Sequence, residues 1–120
     1  MANRSFYRGC TNYYDRELVK CIGVININSS NAVTTNTVTG MASASRTAAG
    51  TYSLVFTDAF VSLKSAQIQF SAAVAVDRAM QVISWTPATK TLVVAELAAG
   101  IASDVAAAHA LYCEITFSNV

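Results

Sequence analysis

Apolar and polar residues alternate along several short stretches of the chain, and this period of two is typical of half-buried β-strands. In TYSLVFT, residues 51–57, the side chains of Tyr52, Leu54 and Phe56 fall on one face. In LYCEITF, residues 111–117, the apolar positions are Leu111, Cys113, Ile115 and Phe117. Each stretch therefore predicts a strand that covers a core with one face, and the cysteine in the second is interpreted as a small core residue.

Four other stretches predict strands: ELVKCIGVINI at residues 17–27, and residues 66–76, 80–85 and 91–97. Within the first, Gly23 marks either a bulge or a close approach of another backbone, and Cys21 is a second candidate core cysteine. Residues 33–44 are rich in Thr and Ser, which predicts an exposed strand or two with a loop. Turn residues separate these stretches: SSN at 29–31, AAG at 48–50 and 98–100, and TPATK at 86–90.

Two stretches contain short helical signals. Asp58 could cap a turn in DAFVSLK, residues 58–64, and Ser103 could cap one in SDVAAAHA, residues 103–110. Both are too short to be stable without tertiary contacts, so we interpret them as connections. Short strands with turns between them predict an all-β fold, an antiparallel β-sandwich or jelly-roll-like single domain. Trp85, at the end of a predicted strand, is expected to anchor the core or its rim.

The chain has few charges. Only 12% of its 120 residues are charged, against about 25% in an ordinary soluble domain, while 53% are hydrophobic. A chain of this length builds one core. Because charge keeps protein surfaces apart, the low charged fraction predicts that part of the surface is covered by copies of this chain or by another protein. We therefore expect a homo-oligomer.

The start of the chain differs from the rest, and we treat residues 1–16 as an N-terminal arm ahead of a β-domain at residues 17–120. Residues 1–20 hold four basic and two acidic groups, a net charge of +2, while residues 21–120 have a net charge of −1. Tyrosine and arginine are enriched in binding hot spots. The arm is therefore expected to bind a partner through Arg4, Phe6, Tyr7, Arg8, Tyr13, Tyr14 and Arg16. A frayed terminus, or a first strand that packs on its own domain, is the alternative.

No catalytic motif is visible in the sequence. His109 is the only histidine, and candidate partners such as Asp104 are known only by sequence position, so we expect a surface or loop histidine rather than a general base. The scattered cysteines and aspartates lack the spacing of a zinc site or a calcium loop. Phosphate-binding glycine motifs and the serine nucleophile elbow are absent. The sequence predicts a protein that is not an enzyme and holds no metal or cofactor.

Charge and hydropathy also bear on partners and compartment. A net charge of +1 disfavours nucleic-acid binding, and single-stranded nucleic acid stacked on the arm tyrosines is a minor alternative. The most apolar window, residues 92–112, is interrupted by Glu96, Asp104 and His109, so no membrane span is expected. The first residues show no apolar signal-peptide segment. Three cysteines without paired spacing, Cys10, Cys21 and Cys113, indicate free thiols made in a reducing cytoplasm.

The run RTAAGTYSLVFTDAF, residues 46–60, resembles a pattern found in small structural proteins from the heads of tailed bacteriophages: R-T-x-x-G-x-Y-x-L-x-F, followed by a short D-A-F or D-A-Y segment. The block TKTLVVAELAAGIASDVAAAHALYCEITF is similar to the closing half of the same proteins, where a strand, a loop and a final strand complete a jelly-roll-like sandwich. The resemblance spans residues 37–117. It implies a capsid decoration (cement) protein without catalytic residues, trimeric and bound to the major capsid protein on the outside of the shell.

The sequence thus predicts a structural virion protein on the capsid exterior, with the arm in contact with the capsid lattice. The arm matches no pattern of the phage proteins, so its role depends on the physical argument alone. A tail fibre or spike that uses the same fold to bind a receptor or glycan is the alternative.

Overall fold

Nine β-strands make up most of residues 18–119, which is the part of the chain that the computed structural model describes. In chain order they are β1 (Leu18–Ile27), β2 (Val33–Asn36), β3 (Met41–Ala48), β4 (Thr51–Phe56), β5 (Ser62–Ala72), β6 (Ala79–Thr86), β7 (Thr91–Ala98), β8 (Ile101–Ala102) and β9 (His109–Ser118). A short 3-10 helix, Pro87–Thr89, connects β6 to β7. The predicted arm lies outside the described residues.

The strands form two antiparallel sheets. Sheet A has the order β2–β1–β9–β5, and sheet B has the order β3–β4–β7–β6, with β8 paired to the end of β7. In sheet B short connections join β3 to β4 and β6 to β7, while β4 and β7 are neighbours from distant parts of the chain; in sheet A only β1 and β2 are consecutive. In particular, β9 pairs with β1 on one side and β5 on the other over its full length. The predicted all-β antiparallel sandwich is confirmed.

Alternate side chains of the two sheets fill the core between them, and the predicted apolar faces of β4 and β9 both point inward. Aromatic rings pack closely at one end of this core. Phe117 stacks on Phe60 with ring centroids 4.5 Å apart, and it meets Phe56 edge-on at 4.8 Å. Trp85 lies 4.6 Å from Phe117 and donates its Nε1–H to the Phe60 carbonyl at 3.0 Å. Trp85 is partly buried and packs against the core, in agreement with the expected anchor at the core or its rim.

The strands predicted with explicit bounds agree with the observed ones to within two residues, except for β5. The stretch predicted at residues 33–44 contains β2 and the start of β3, but β3 continues to Ala48, and β8 was not predicted. The strand β5 was predicted at residues 66–76 but runs over Ser62–Ala72. Two β-branched residues misled the prediction, because Val74 and Val76 are exposed in the loop before β6. The helical signals are not realised: residues 62–64 belong to β5 and residues 109–110 to β9, and the remainder of both stretches forms connections.

Residues 37–39 run beside Gly23, along the part of the β1 edge that β2 leaves unpaired. The backbone N–H groups of Thr37 and Thr39 donate to the carbonyls of Val24 and Ile22, at 2.9 and 3.1 Å. A Cβ added at Gly23 would collide with the Cα of Val38. Of the two roles predicted for this glycine, the close approach of another backbone is therefore confirmed.

We expect Gly23→Ala to lower the free energy of unfolding by about 1–3 kcal/mol, the usual cost of overpacking. The added methyl group must push residues 37–39 away from β1, which weakens their hydrogen bonds to that strand. Urea unfolding of the variant and the wild type measures the difference. A stability within about 0.5 kcal/mol of the wild type, as for a neutral surface change, would contradict this expectation.

Candidate binding face and buried polar cluster

His109 and Glu96 form a buried pair that joins the two sheets. His109 is the first residue of β9 in sheet A, and Glu96 belongs to β7 in sheet B. The Nε2 atom of His109 lies 2.6 Å from Oε2 of Glu96, and neither side chain is exposed to solvent. The ring of Phe70 stacks on the imidazole with centroids 5.0 Å apart. The pair is thus a polar link through an otherwise apolar core.

Hydrogen bonds decide where this pair carries protons. The Nδ1 atom of His109 lies 3.0 Å from the carbonyl oxygen of Ala107, which can only accept, so Nδ1 is protonated. The hydrogen bond between Nε2 of His109 and Glu96 then contains one proton. Either an imidazolium donates it to a carboxylate, or a carboxylic acid donates it to a neutral ring. Burial raises the pKa of Glu96, and the charge of His109 opposes that rise. One short hydrogen bond therefore links the two sheets through the core.

This placement corrects the prediction for His109. We expected a surface or loop histidine with Asp104 as a candidate partner, but the residue is buried at the start of a strand and its partner is Glu96. The alternation that predicts the inward face of β9 at Leu111 extends back to position 109, so the burial could have been found. The pairing could not, because it depends on how β7 stacks against β9.

Further polar atoms are buried in the same region. Among the described residues, Tyr52 Oη, Glu96 Oε1, and Nε and Nη1 of Arg78 are buried without a hydrogen-bond partner from the protein. Arg78 donates from Nη2 to the main-chain carbonyl of Asp104 at 2.9 Å. Burial, followed by the charge of Glu96, raises the pKa of Tyr52, so its phenol stays neutral. We call Tyr52, Arg78, Glu96 and His109 the buried polar cluster.

Asp104 ties the loop after β8 to the turn between β3 and β4. Its carboxylate accepts two hydrogen bonds from Arg46, at 3.0 and 2.6 Å, and one from the backbone N–H of Gly50 at 2.8 Å. These donors lower the pKa of Asp104, with Arg46 the larger cause. Gly50 has a φ of +65°, and a Cβ there would collide with the backbone of Ser103. Only glycine brings the turn this close to the loop.

The His109–Glu96 pair of the buried polar cluster is closed to solvent. A general base must come within hydrogen-bond reach of a substrate, yet the side chains of His109 and Glu96 have no exposed surface and both imidazole nitrogens are engaged. Within residues 18–119, no three side chains of His, Cys, Asp or Glu group together as a metal site would need. Over the same range, no helix is long and apolar enough to cross a membrane.

The two cysteines of the β-domain are core residues, as predicted. Cys21 and Cys113 are buried and free. Burial raises the pKa of the Cys113 thiol to about 11, and it also raises that of Cys21. Thiols with raised pKa values stay protonated at neutral pH and are poor nucleophiles and metal ligands.

The outer face of sheet A exposes large apolar side chains. Ile22 on β1 is 51% exposed and Tyr112 on β9 is 49% exposed. The strand register places Val24 opposite Tyr112 and Ile22 opposite Glu114, so the three apolar residues are neighbours. Glu114 already pairs with Lys20, at 3.2 Å. The outer surface of β1 and β9 therefore carries an apolar patch beside one neutralised ion pair.

A groove of about 600 Å³ crosses the same part of sheet A. It is lined by residues 22–24 of β1, 112–114 of β9, 66–69 of β5 and 80–82 of β6. The last two strands are the adjacent edges of sheets A and B. We call the apolar patch and this groove together the binding face, because an exposed apolar surface rimmed by polar groups is typical of an interaction site.

The arm residues that are predicted to bind a partner lie outside the described residues. They are Arg4, Phe6, Tyr7, Arg8, Tyr13, Tyr14 and Arg16. The arm precedes Leu18, the first residue of β1. That strand contributes Ile22 and Val24 to the binding face, so the arm is attached through one of the strands that form this face.

Comparisons with known proteins give no relative. No family model, curated protein or solved structure matches the chain. Proposals about its function therefore depend on the geometry described above and on the resemblance found in the sequence.

Proposed function

We propose that the protein is a structural virion protein without enzymatic activity: a capsid decoration protein that binds the outside of a head shell and stabilises it. The observation that carries the proposal is the binding face, where Ile22 and Tyr112 lie exposed beside a single ion pair. The resemblance of residues 46–60 to phage head proteins supplies the class of partner. That partner is the lattice of the major capsid protein, and the binding unit is a homotrimer.

The solvent side of an antiparallel sheet is ordinarily polar, because one face packs on the core and the other meets water. The outer face of β1 and β9 departs from this pattern, because it carries Ile22, Val24 and Tyr112. Full burial of one large apolar side chain contributes about 1.5–3 kcal/mol, which is weak for a single contact. An oligomer that places several such faces on a repeating lattice binds far more tightly than one copy does.

The buried polar cluster supports the absence of catalysis in the proposal. The only histidine of the chain bridges the sheets and is inaccessible to a substrate. The thiols of Cys21 and Cys113 are buried and protonated. Among residues 18–119, the imidazole and both thiols are thus used to build the sandwich.

A pair of isoleucine variants tests the binding face. Ile22→Lys is expected to weaken binding to purified heads that lack the protein by tenfold or more, as loss of a hot spot of at least about 1.4 kcal/mol does. Ile101→Lys is the matched control, since Ile101 is 69% exposed on β8 in the other sheet. The proposal fails if both variants bind as the wild type does, or if both lose binding equally.

Deletion of residues 2–16 tests the arm on the same particles, where reduced occupancy is expected.

Copy number separates decoration from the alternative of a tail fibre or spike: hundreds of copies per particle support the former, and a handful would contradict it. Mass measurement at several concentrations tests the trimer, which a monomer at all concentrations would exclude.

A further inference from the structure

The outer face of sheet B carries no charged side chain. The strands of this sheet contain only two charged residues, Arg46 on β3 and Glu96 on β7. The side chain of Glu96 is buried in the core. Arg46 stands opposite Tyr52, whose side chain is also buried, and its guanidinium binds Asp104. Both charges therefore belong to the inward side of the sheet, and the side that faces away from the core is left to neutral residues.

One row of small and β-branched residues crosses this face from edge to edge. The strand register aligns Ser45 of β3 with Ser53 of β4, Ser53 with Val93 of β7, and Val93 with Ser84 of β6. The residues on either side of Ser53 and of Val93 along their strands are buried in the core. Because successive side chains of a strand point to opposite faces, this row faces outward.

A β-bulge adds Ile83 to the row. The register of β6 against β7 shifts between Val82 and Ser84, so Ile83 and Ser84 both stand opposite Val93, as the two residues of a bulge oppose one residue of the partner strand. Val82 before the bulge and Trp85 after it pack against the core. Ile83 is 52% exposed. The bulge therefore presents a large apolar side chain on the outer face of sheet B.

The chemistry of this face suits a second copy of the same chain. At a symmetry axis between identical chains, residues meet their own copies, and a charged side chain there would face a like charge, which is unfavourable. A serine hydroxyl can both donate and accept a hydrogen bond, so it can pair with the same serine of another chain. Valine and isoleucine pack against their own kind. A neutral face of these residues is thus complementary to itself.

The face is also large enough for a stable contact. The strands β3, β6 and β7 have 8 residues each, a length of about 26 Å at ~3.3 Å per residue. Four strands spaced by ~4.8 Å give a width of about 19 Å, and so an area of about 500 Å². Three such faces together bury about 1,500 Å², and specific protein interfaces bury about 1,200–2,000 Å².

We propose that copies of this chain bind one another through the outer face of sheet B, with Ile83 and the serine row in contact between chains. This inference deepens the proposed function and rests on it for the number of chains: three copies of sheet B surround the axis of the proposed homotrimer. The apolar patch of the binding face lies on β1 and β9 of the other sheet, so it stays free for the capsid lattice. The low charge of the chain is then explained in part by a sheet that is covered by its own copies.

Analytical ultracentrifugation of the free full-length protein at several concentrations tests the contact without any capsid. Ile83→Lys is expected to raise the dissociation constant of the oligomer by tenfold or more, because the added ammonium groups meet across the interface. Ser84→Lys adds the same charge beside it and should act in the same way. Ile22→Lys is the matched control: Ile22 is 51% exposed on sheet A, so the same substitution should leave the oligomer intact. Circular dichroism identifies the variants that are folded.

Three results would overturn the inference: a wild-type monomer at all concentrations, unchanged association of folded Ile83→Lys and Ser84→Lys proteins, or equal dissociation by Ile83→Lys and Ile22→Lys. If Ile83→Lys does not fold, Ser84→Lys alone decides. Binding to heads is measured separately. Unchanged association of both sheet B variants, together with loss of head binding by Ile22→Lys, would refute the contact between copies and leave the proposed function standing.

Discussion

Replacing His109 with leucine is expected to lower the free energy of unfolding by about 3–5 kcal/mol, the cost of removing one partner of a buried ion pair. Glu96 would remain in the core of sheet B without its hydrogen bond to sheet A, and its side chain has no access to water. Urea unfolding followed by circular dichroism measures the effect as a lower midpoint at an unchanged m-value.

A double variant is the matched control for this prediction. Combining His109→Leu with Glu96→Leu removes both members of the pair, and apolar replacement of a buried pair is often neutral or stabilising. Most of the lost stability should return, although Arg78 then loses the favourable charge of Glu96. If His109→Leu alone unfolds within about 1 kcal/mol of the wild type, as an average substitution does, the pair does not hold the sheets together.

Phe117→Ala should also destabilise the fold by about 3–5 kcal/mol, as truncation of a buried phenylalanine does. The side chain is fully buried, stacks on Phe60 and meets Phe56 edge-on. The residue lies near the end of β9, between β1 and β5, so the cavity would open where both sheets converge on the aromatic rings. Thermal and urea unfolding both report the loss.

Tyr112→Ala is the control for the same strand. Tyr112 is a large aromatic residue on the opposite face of β9 and is half exposed, so its truncation should change stability by only about 0.5 kcal/mol. Similar losses for the two variants would mean that the inward face of β9 is not what stabilises the sandwich.

Most of the fold follows from the alternation of apolar and polar residues. The inward residues of β4 and β9 were predicted one by one, because a strand with one buried face has no other arrangement of Leu54 or Ile115 that avoids water. The order of strands in the sheets was not predicted. It depends on pairings such as β1 with β9, which join residues 18–27 to residues 109–118 and leave no local signal in the sequence.

The sites were predicted less completely. The outward positions of β1, Ile22 and Val24, alternate with Cys21 and Ile25, so an apolar outer face could have been found from the same periodicity that located the core. The histidine prediction failed because the residue was judged by the absence of a motif, and not by its place in β9. The arm residues remain a prediction, since they lie outside the described residues.

The position of β9 has a consequence for how the protein is made. This strand is the last of the nine to leave the ribosome, yet it is the partner that both β1 and β5 require. Sheet B can pair during synthesis, because β3, β4, β6 and β7 all precede β9. Apart from the pairing of β1 with β2, sheet A must wait for β9, so β5 and one edge of β1 stay open to wrong partners until the end of translation. A chain that stops before residue 109 is therefore expected to aggregate rather than fold into half a sandwich.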